Sequence, residues 1–144
     1  GLEAAAFVFD GETDMTSLIE AEQAKTSLAC VMVDEAQFLT DAQVWQLADV
    51  ADRLRIPVMC YGLRTDFQGN LFKGSARLLA IADVLREIRT ICHCGSKATM
   101  VVRQDGDGKV IREGAQIEIG GNERYVSLCR RHWNEAMAET AGGG

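Results

Sequence analysis

The run Leu28-Ala29-Cys30-Val31-Met32-Val33 leads straight into Asp34-Glu35-Ala36-Gln37-Phe38, and this passage decides the fold. Six apolar residues in a row suit a strand covered on both faces. Downstream, Thr40 offers a helix N-cap, with Gln43 three residues on, as a capping box requires. Val44, Leu47, Ala48, Ala51 and Leu54 then recur at helical spacing, predicting a helix over 41–55. Pro57 opens a second buried strand, Val58 to Tyr61, which ends at Gly62. Strand, helix, strand is a parallel crossover unit, and it predicts an α/β sheet. Upstream, Thr13 to Lys25 reads as a helix with Met15, Leu18 and Ile19 on one face.

Working outward towards the C-terminus, a polar loop follows, Arg64-Thr65-Asp66-Phe67-Gln68-Gly69-Asn70-Leu71-Phe72-Lys73-Gly74. A short helix is predicted around Ser75 to Ala82, then an extended stretch from Val84 to Ile91. At Cys92 the character changes. Short β-type runs (Thr99 to Arg103, Gln116 to Ile119, Tyr125 to Leu128) are separated by glycines, and Asp105-Gly106-Asp107-Gly108 is a strong hairpin signal. This small β-subdomain has too few apolar residues for a core of its own and needs a staple. The expected division is therefore an α/β core over 1–91, a β-subdomain over 92–139 and a glycine tail over 140–144.

The composition narrows the function. A length of 144 residues is enough to bury a core. An apolar fraction of 47% with 25% charged residues is ordinary for a globular protein. No apolar run approaches the roughly 20 residues of a membrane span, so a cytoplasmic location is expected. A net charge of −6 argues against gripping a nucleic-acid backbone, which requires Lys and Arg to neutralise phosphates. Five cysteines make an odd number, a poor basis for a disulfide framework.

Three groups of residues carry chemistry. Cys92-x-Cys94 and Cys129-x-x-His132 are two short-range pairs at either end of a hairpin region, the way ribbon-type structural zinc sites are built. Scattered reduced thiols are the plainer alternative, and His93 is an alternative ligand to one cysteine. Four protein ligands leave no open position, so such a site would be structural. Asp34-Glu35 closes a buried strand at the edge where α/β sheets bind ligands. An Asp there suits Mg2+ and a neighbouring acid suits proton transfer, while a solvated acidic turn is the plain reading. Phe38, Leu63, Phe67, Phe72 and Tyr125 fall in or beside predicted loops, where flat rings favour a flat ligand such as a nucleobase. No G-x-x-x-x-G-K-S/T phosphate loop exists in residues 1–144.

Taken together, Val33–Leu39, Pro57–Ser75, Thr90–Val101 and Ile119–His132 resemble thymidine kinases of the zinc-containing cellular and bacterial type, in order and spacing, over 28–139. The resemblance implies a P-loop-type parallel sheet with helices, plus a zinc-ribbon and lasso subdomain. It implies transfer of the γ-phosphate of ATP to the 5′-hydroxyl of thymidine, giving dTMP. Glu35 would be the general base, with Asp34 and Gln37 on the Mg2+ and ATP side. Phe38, Leu63, Phe67 and Phe72 would wall the thymine pocket. Ile117 to Tyr125, with Ile119 and Gly120, would form a lasso closing over the nucleoside. Cys92, Cys94, Cys129 and His132 would hold zinc at its base. A homotetramer and dTTP as feedback inhibitor are further expectations. The family's strand, phosphate loop and helix should precede Gly1, and the chain without them is expected to be inactive. Two rivals remain at this stage: a fragment of another P-loop ATPase or helicase, and a non-catalytic zinc-ribbon interaction module.

Overall fold

The structure, a computed structural model, describes residues 6–117 and 122–138. They are mixed α/β and divide into two compact units. The first comprises residues up to Leu63 together with Phe72–Ala82; the second comprises Arg64–Leu71 and everything from Asp83 on. None of the described helices is long and apolar enough to cross a membrane.

In the first unit, α1 (Met15–Lys25) starts where the Asp14 carboxylate accepts the Ser17 amide. Its buried residues are Met15 and Ile19, while Leu18, which the spacing put on the same face, is half-buried. Helix α2 (Asp41–Arg53) begins with the full capping box: Thr40 Oγ1 accepts the Gln43 amide, and Gln43 Oε1 accepts the Thr40 amide. Gln43 is also buried, and its side-chain amide donates to the Asp10 and Thr13 carbonyls, so the cap of α2 secures the entry to α1.

Strands β1 (Val31–Val33) and β2 (Val58–Cys60) pair in parallel, Val31 with Val58 and Val33 with Cys60. The crossover read from the sequence is therefore present. The expectation that β1 is covered on both faces is corrected. Val33 is buried in one core cluster with Met15, Ile19, Val44, Leu47 and Val50, but Met32 is 67% exposed and Met59 40% exposed. Successive strand side chains point to opposite faces, and among the described residues of this unit one face is packed. Burial pushes the Cys60 thiol up to about 11, so this cysteine behaves as a small core residue.

Helix α3 (Lys73–Ile81) starts two residues earlier than the sequence suggested, taking in Gly74. A Cβ on Gly74 would stand 2.7 Å from the Ala36 carbonyl oxygen and 2.8 Å from those of Gln37 and Leu39. Only a glycine lets the helix backbone come this close to the turn after β1.

The second unit is built on antiparallel pairs. Ahead of them, the stretch from Val84 is irregular, with Val84, Leu85 and Ile88 exposed. Strands β3 (Thr90–Ile91) and β4 (Lys97–Ala98) form one ladder. The central β5 (Met100–Gln104) lies between β6 (Val110–Ile111) and β7 (Arg124–Leu128). The predicted turn joins β5 to β6. The Asp105 carboxylate accepts the amides of Asp107 and Lys109, and Gly108 has φ +81°. The expected β-type run at Gln116 is not a strand at Gln116 or Ile117, and Glu118 to Gly121 lie outside the described residues. Helix α4 (Arg130–Ala138), which sequence periodicity did not single out, closes the unit. The small core consists of Cys92, Val102, Leu128 and Cys129. Two of these four are thiols of the Cys/His group, so the missing staple and the core coincide.

Candidate functional site

The end of β1 is shaped by its neighbour β2. The Tyr61 amide donates to the Val33 carbonyl at 2.9 Å, and the Ala36 amide donates to the Tyr61 carbonyl at 2.8 Å. Between these two bonds the chain must reverse, and Glu35 does so in the left-handed region, at φ 51°, ψ 39°. A non-glycine residue there costs on the order of 1–3 kcal/mol and persists only where its surroundings impose it. The Asp34 carboxylate accepts the Glu35 amide at 2.8 Å. A short 3-10 turn, Ala36–Phe38, follows.

Gln37 is nearly fully buried in that turn. Its Nε2 donates to the Glu35 carboxylate, and its Oε1 accepts the Leu63 amide at 3.2 Å. Gly62 makes room for this, since a Cβ there would stand 2.6 Å from Gln37 Oε1. The Ser75 hydroxyl in turn donates to the Leu63 carbonyl. Glu35 is thus an exposed carboxylate on a buried, hydrogen-bonded mount. Phe38 and Phe72 meet edge to face, their centroids 5.8 Å apart. Of the sequence-selected residues, the first unit brings together Asp34, Glu35, Gln37, Phe38, Leu63 and Phe72.

Phe67 and Tyr125 belong to the second unit. A loop position had argued against a core role for Phe67, yet it is 1% exposed. Arg103 explains this. Its guanidinium carbon lies 4.0 Å from the Phe67 ring centroid, and Arg103 is itself 1% exposed. The backbone of Phe67 is fixed as well, because the Trp133 indole N–H is shared between the Phe67 carbonyl at 3.2 Å and the Val101 carbonyl at 3.0 Å. Asp66 accepts the amides of Gln68 and Asn70 on Oδ1 and the Gln116 side chain on Oδ2. Tyr125 is half exposed and stands opposite Arg103 across β5 and β7. Ile117 is half exposed, while Ile119 and Gly120 lie outside the described residues.

Arg103, Trp133 and Asp66 escaped the sequence reading. Val101, Val102 and Arg103 are all buried in succession, so no alternation marked the arginine as inward. A charged residue inside an apolar strand run was the one signal available.

The four predicted metal ligands converge. Cys92, Cys94, Cys129 and His132 place one ligand atom each within 4.8 Å of all the others. Cys94 and Cys129 Sγ are 3.9 Å apart, and His132 Nδ1 lies 3.3 Å from Cys92 Sγ and 3.4 Å from Cys129 Sγ. Zinc–sulfur and zinc–nitrogen bonds of 2.3 and ~2.05 Å on a tetrahedron give edges of roughly 3.8 Å and 3.6 Å. The residues therefore fit zinc. His93, the alternative ligand, stacks on His132 at 4.3 Å between centroids and is outside the group.

Local backbone builds the site. Cys92 donates its amide to the Ser96 carbonyl, and the turn between them passes through Gly95 at φ +87°. Cys129 sits at the junction of β7 and α4, and His132 falls on the first turn of α4. Hydrogen bonds from Ser96, side chain first and then backbone, bring the Cys94 thiol down to about 6. At Cys92, burial alone would push the thiol up, but the backbones of Cys94 and Cys129 and the His132 ring outweigh it and the net direction is down. Thiolates are the form that binds metal.

A family model described as thymidine kinase matches residues 4–133. A thymidine kinase of Rhizobium meliloti is 68% identical over 141 residues, covering 96% of this chain and 72% of the relative. One of Agrobacterium fabrum is 65% identical, covering 95% and 71%. One of Ruegeria pomeroyi is 58% identical, covering 100% and 73%.

Proposed function

Since the chain belongs to the thymidine kinase family, we infer that it carries the nucleoside- and zinc-binding part of an enzyme that moves the γ-phosphate of ATP to the 5′-hydroxyl of thymidine. The observation that carries the reading is the mount of Glu35: an exposed carboxylate at the end of a parallel strand, in a left-handed turn, bonded by a buried amide.

Glu35 is the general base in this reading. It accepts the proton of the 5′-hydroxyl as the oxygen attacks the γ-phosphorus. A base must be positioned before its basicity matters, and the bond from Gln37 restricts the carboxylate to one direction. That gives Gln37 a positioning role beside its place on the ATP side. Asp34 already accepts one amide and keeps a second oxygen for Mg2+ carried by ATP, directly or through water. Phe38, Leu63, Phe67 and Phe72 supply apolar and aromatic wall for the thymine ring. The segment from Ile117 to Tyr125, including Ile119 and Gly120, acts as the loop closing over the nucleoside.

Cys92, Cys94, Cys129 and His132 hold zinc, which supplies folding energy at a closed four-ligand site. Trp133 follows His132 directly and bonds the Phe67 carbonyl, so the metal group supports the thymine wall through one residue. The functional division runs at Cys92, with the kinase core in 1–91, the zinc-ribbon and lasso part in 92–139 and a tail in 140–144. A cytoplasmic homotetramer with feedback by dTTP completes the proposal on family likeness.

The test is Glu35→Gln in the full-length protein. Losing a general base lowers kcat by roughly 10²–10⁴, and thymidine KM should move little. A kcat within a few-fold of wild type removes Glu35 from the role.

A further inference from the structure

Just past β2 the chain is held by side chains where a strand is ordinarily held by its neighbour's backbone. The Tyr61 carbonyl still accepts the Ala36 amide. At Leu63, two residues on, both backbone polar groups are taken by side chains of the first unit. Its amide donates to Gln37 Oε1 at 3.2 Å, and its carbonyl accepts the Ser75 hydroxyl. Ser75 is the third residue of α3. A serine in a helix commonly turns its hydroxyl back on its own backbone. Ser75 directs it instead to a residue 12 positions away.

We propose that Ser75 is a positioning residue for the proton transfer: it anchors Leu63, whose amide orients the Gln37 side chain and through it the Glu35 carboxylate. The proposal rests on the functional reading above and extends it from the Glu35 turn into α3.

Three physical points support this role. The first is direction. Hydroxyl to carbonyl, amide to Oε1 and Nε2 to carboxylate all run donor to acceptor from Ser75 towards Glu35. Turning the Gln37 amide over would set its NH2 against the Leu63 N–H and its oxygen against a carboxylate, so Leu63 decides which way Gln37 faces. The second is rigidity. The N–H and C=O of one residue belong to the two peptide planes that meet at its Cα. Holding both at Leu63 fixes its φ and ψ, and with them the direction of its side chain. Leu63 is a wall of the thymine site in this reading, so the wall and the general base share one anchor. The third is burial. Ser75 is 7% exposed and Gln37 3% exposed, where a lost partner is not readily replaced by water. Ser75 stays off the reacting atoms in this scheme. It acts through Leu63 and Gln37, and its loss should slow the chemical step.

The experiment uses the full-length protein with Ser75→Ala, Glu35→Gln and the double variant combining them. Ser75→Ala should lower kcat about tenfold, a fraction of the roughly 10²-fold that a misplacement of about 1 Å can cost. ATP KM should stay within about twofold and thymidine KM within about threefold, the pattern of an interaction that matters in the transition state. In the Glu35→Gln background the same alanine should change kcat by less than about twofold, because no carboxylate remains to be aimed. A merely structural serine would lower kcat by one factor in both backgrounds, in step with a lower Tm, and that result overturns the proposal. So does a kcat of Ser75→Ala within about twofold of wild type. If Ser75→Ala does not fold, Ser75→Cys carries the test with the same expected outcomes, since a thiol nearly keeps the volume and is a weak donor. A wild-type protein that phosphorylates no thymidine, or Glu35→Gln with an unchanged kcat, faults the functional reading and the proposal with it. A slow Glu35→Gln beside an unaffected Ser75→Ala faults Ser75 alone.

Discussion

Replacing Gly74 by alanine sets two well-understood effects against each other, and the structure decides between them. Gly74 is the second residue of α3. On helix propensity alone, alanine is better than glycine by about 1 kcal/mol. The added methyl, however, would stand 2.7, 2.8 and 2.8 Å from the carbonyl oxygens of Ala36, Gln37 and Leu39, where ordinary contact begins at 3.4 Å. All three are backbone atoms and cannot rotate aside, so the helix and the turn must separate by roughly 0.6–0.7 Å. Overpacking of this kind costs about 1–3 kcal/mol. Because Gly74 is in the first helical turn, little of the propensity gain is realised, and the net change should be a destabilisation of about 1–2 kcal/mol. At roughly 2–4 °C per kcal/mol for a protein of this size class, the Tm should fall by several degrees. The turn that moves contains Gln37, the partner of Glu35. A misplacement of about 1 Å can cost on the order of 10²-fold in rate, so kcat should drop by about tenfold or more. The assay pairs a thermal melt of ligand-free protein with kcat at saturating thymidine and ATP. Equal or raised Tm with kcat within twofold of wild type would refute the claim that α3 fixes the Glu35 turn.

Cys129→Ser should abolish stoichiometric zinc, measured by colorimetric release, and raise thymidine KM; lost zinc with unchanged KM would show that the metal group does not support the thymine wall. Trp133→Phe removes the indole donor shared by Phe67 and Val101, at a cost of about 1 kcal/mol per neutral bond, and should raise thymidine KM while zinc content stays at one per chain. Arg77 donates to Asp41 and holds its carboxyl below the ordinary 3.8. A lowered folded-state value means that the pair stabilises above 3.8 and stops doing so as pH falls through the folded value. The urea midpoint of Asp41→Asn should therefore lie slightly below wild type at neutral pH and converge with it as pH falls from 4 towards 2. A difference that widens on acidification would contradict the pairing.

What could be read from the chain follows from the range of the forces involved. The capping box at Thr40 and Gln43, the hairpin at Asp105 to Gly108 and the two halves of the metal group are signals written within a few residues. Each is present where the sequence placed it. The Glu35 mount was only half legible. Asp34-Glu35 at a strand end drew notice, but the left-handed turn arises because β2 captures the backbone on both sides of it, through Tyr61. Gln37 became a partner of Glu35 only once Gly62 and Leu63 came alongside. Phe67 was misjudged for the same reason. Its loop position argued for exposure, and the residues that bury it, Arg103 and Trp133, are 36 and 66 positions away, counted from residue numbers 103 and 133. An arginine in a strand run reads as a local conflict between charge and burial. Such conflicts mark places where a fold gives up simple packing for a site. Here the conflict is resolved by the Ala115 carbonyl, the Glu123 carboxylate and the Phe67 ring. Arg103 is buried in β5 because groups 12 to 36 positions away along the chain, counted from residue numbers 115 and 67, meet it there, and no pattern local to the strand announces them.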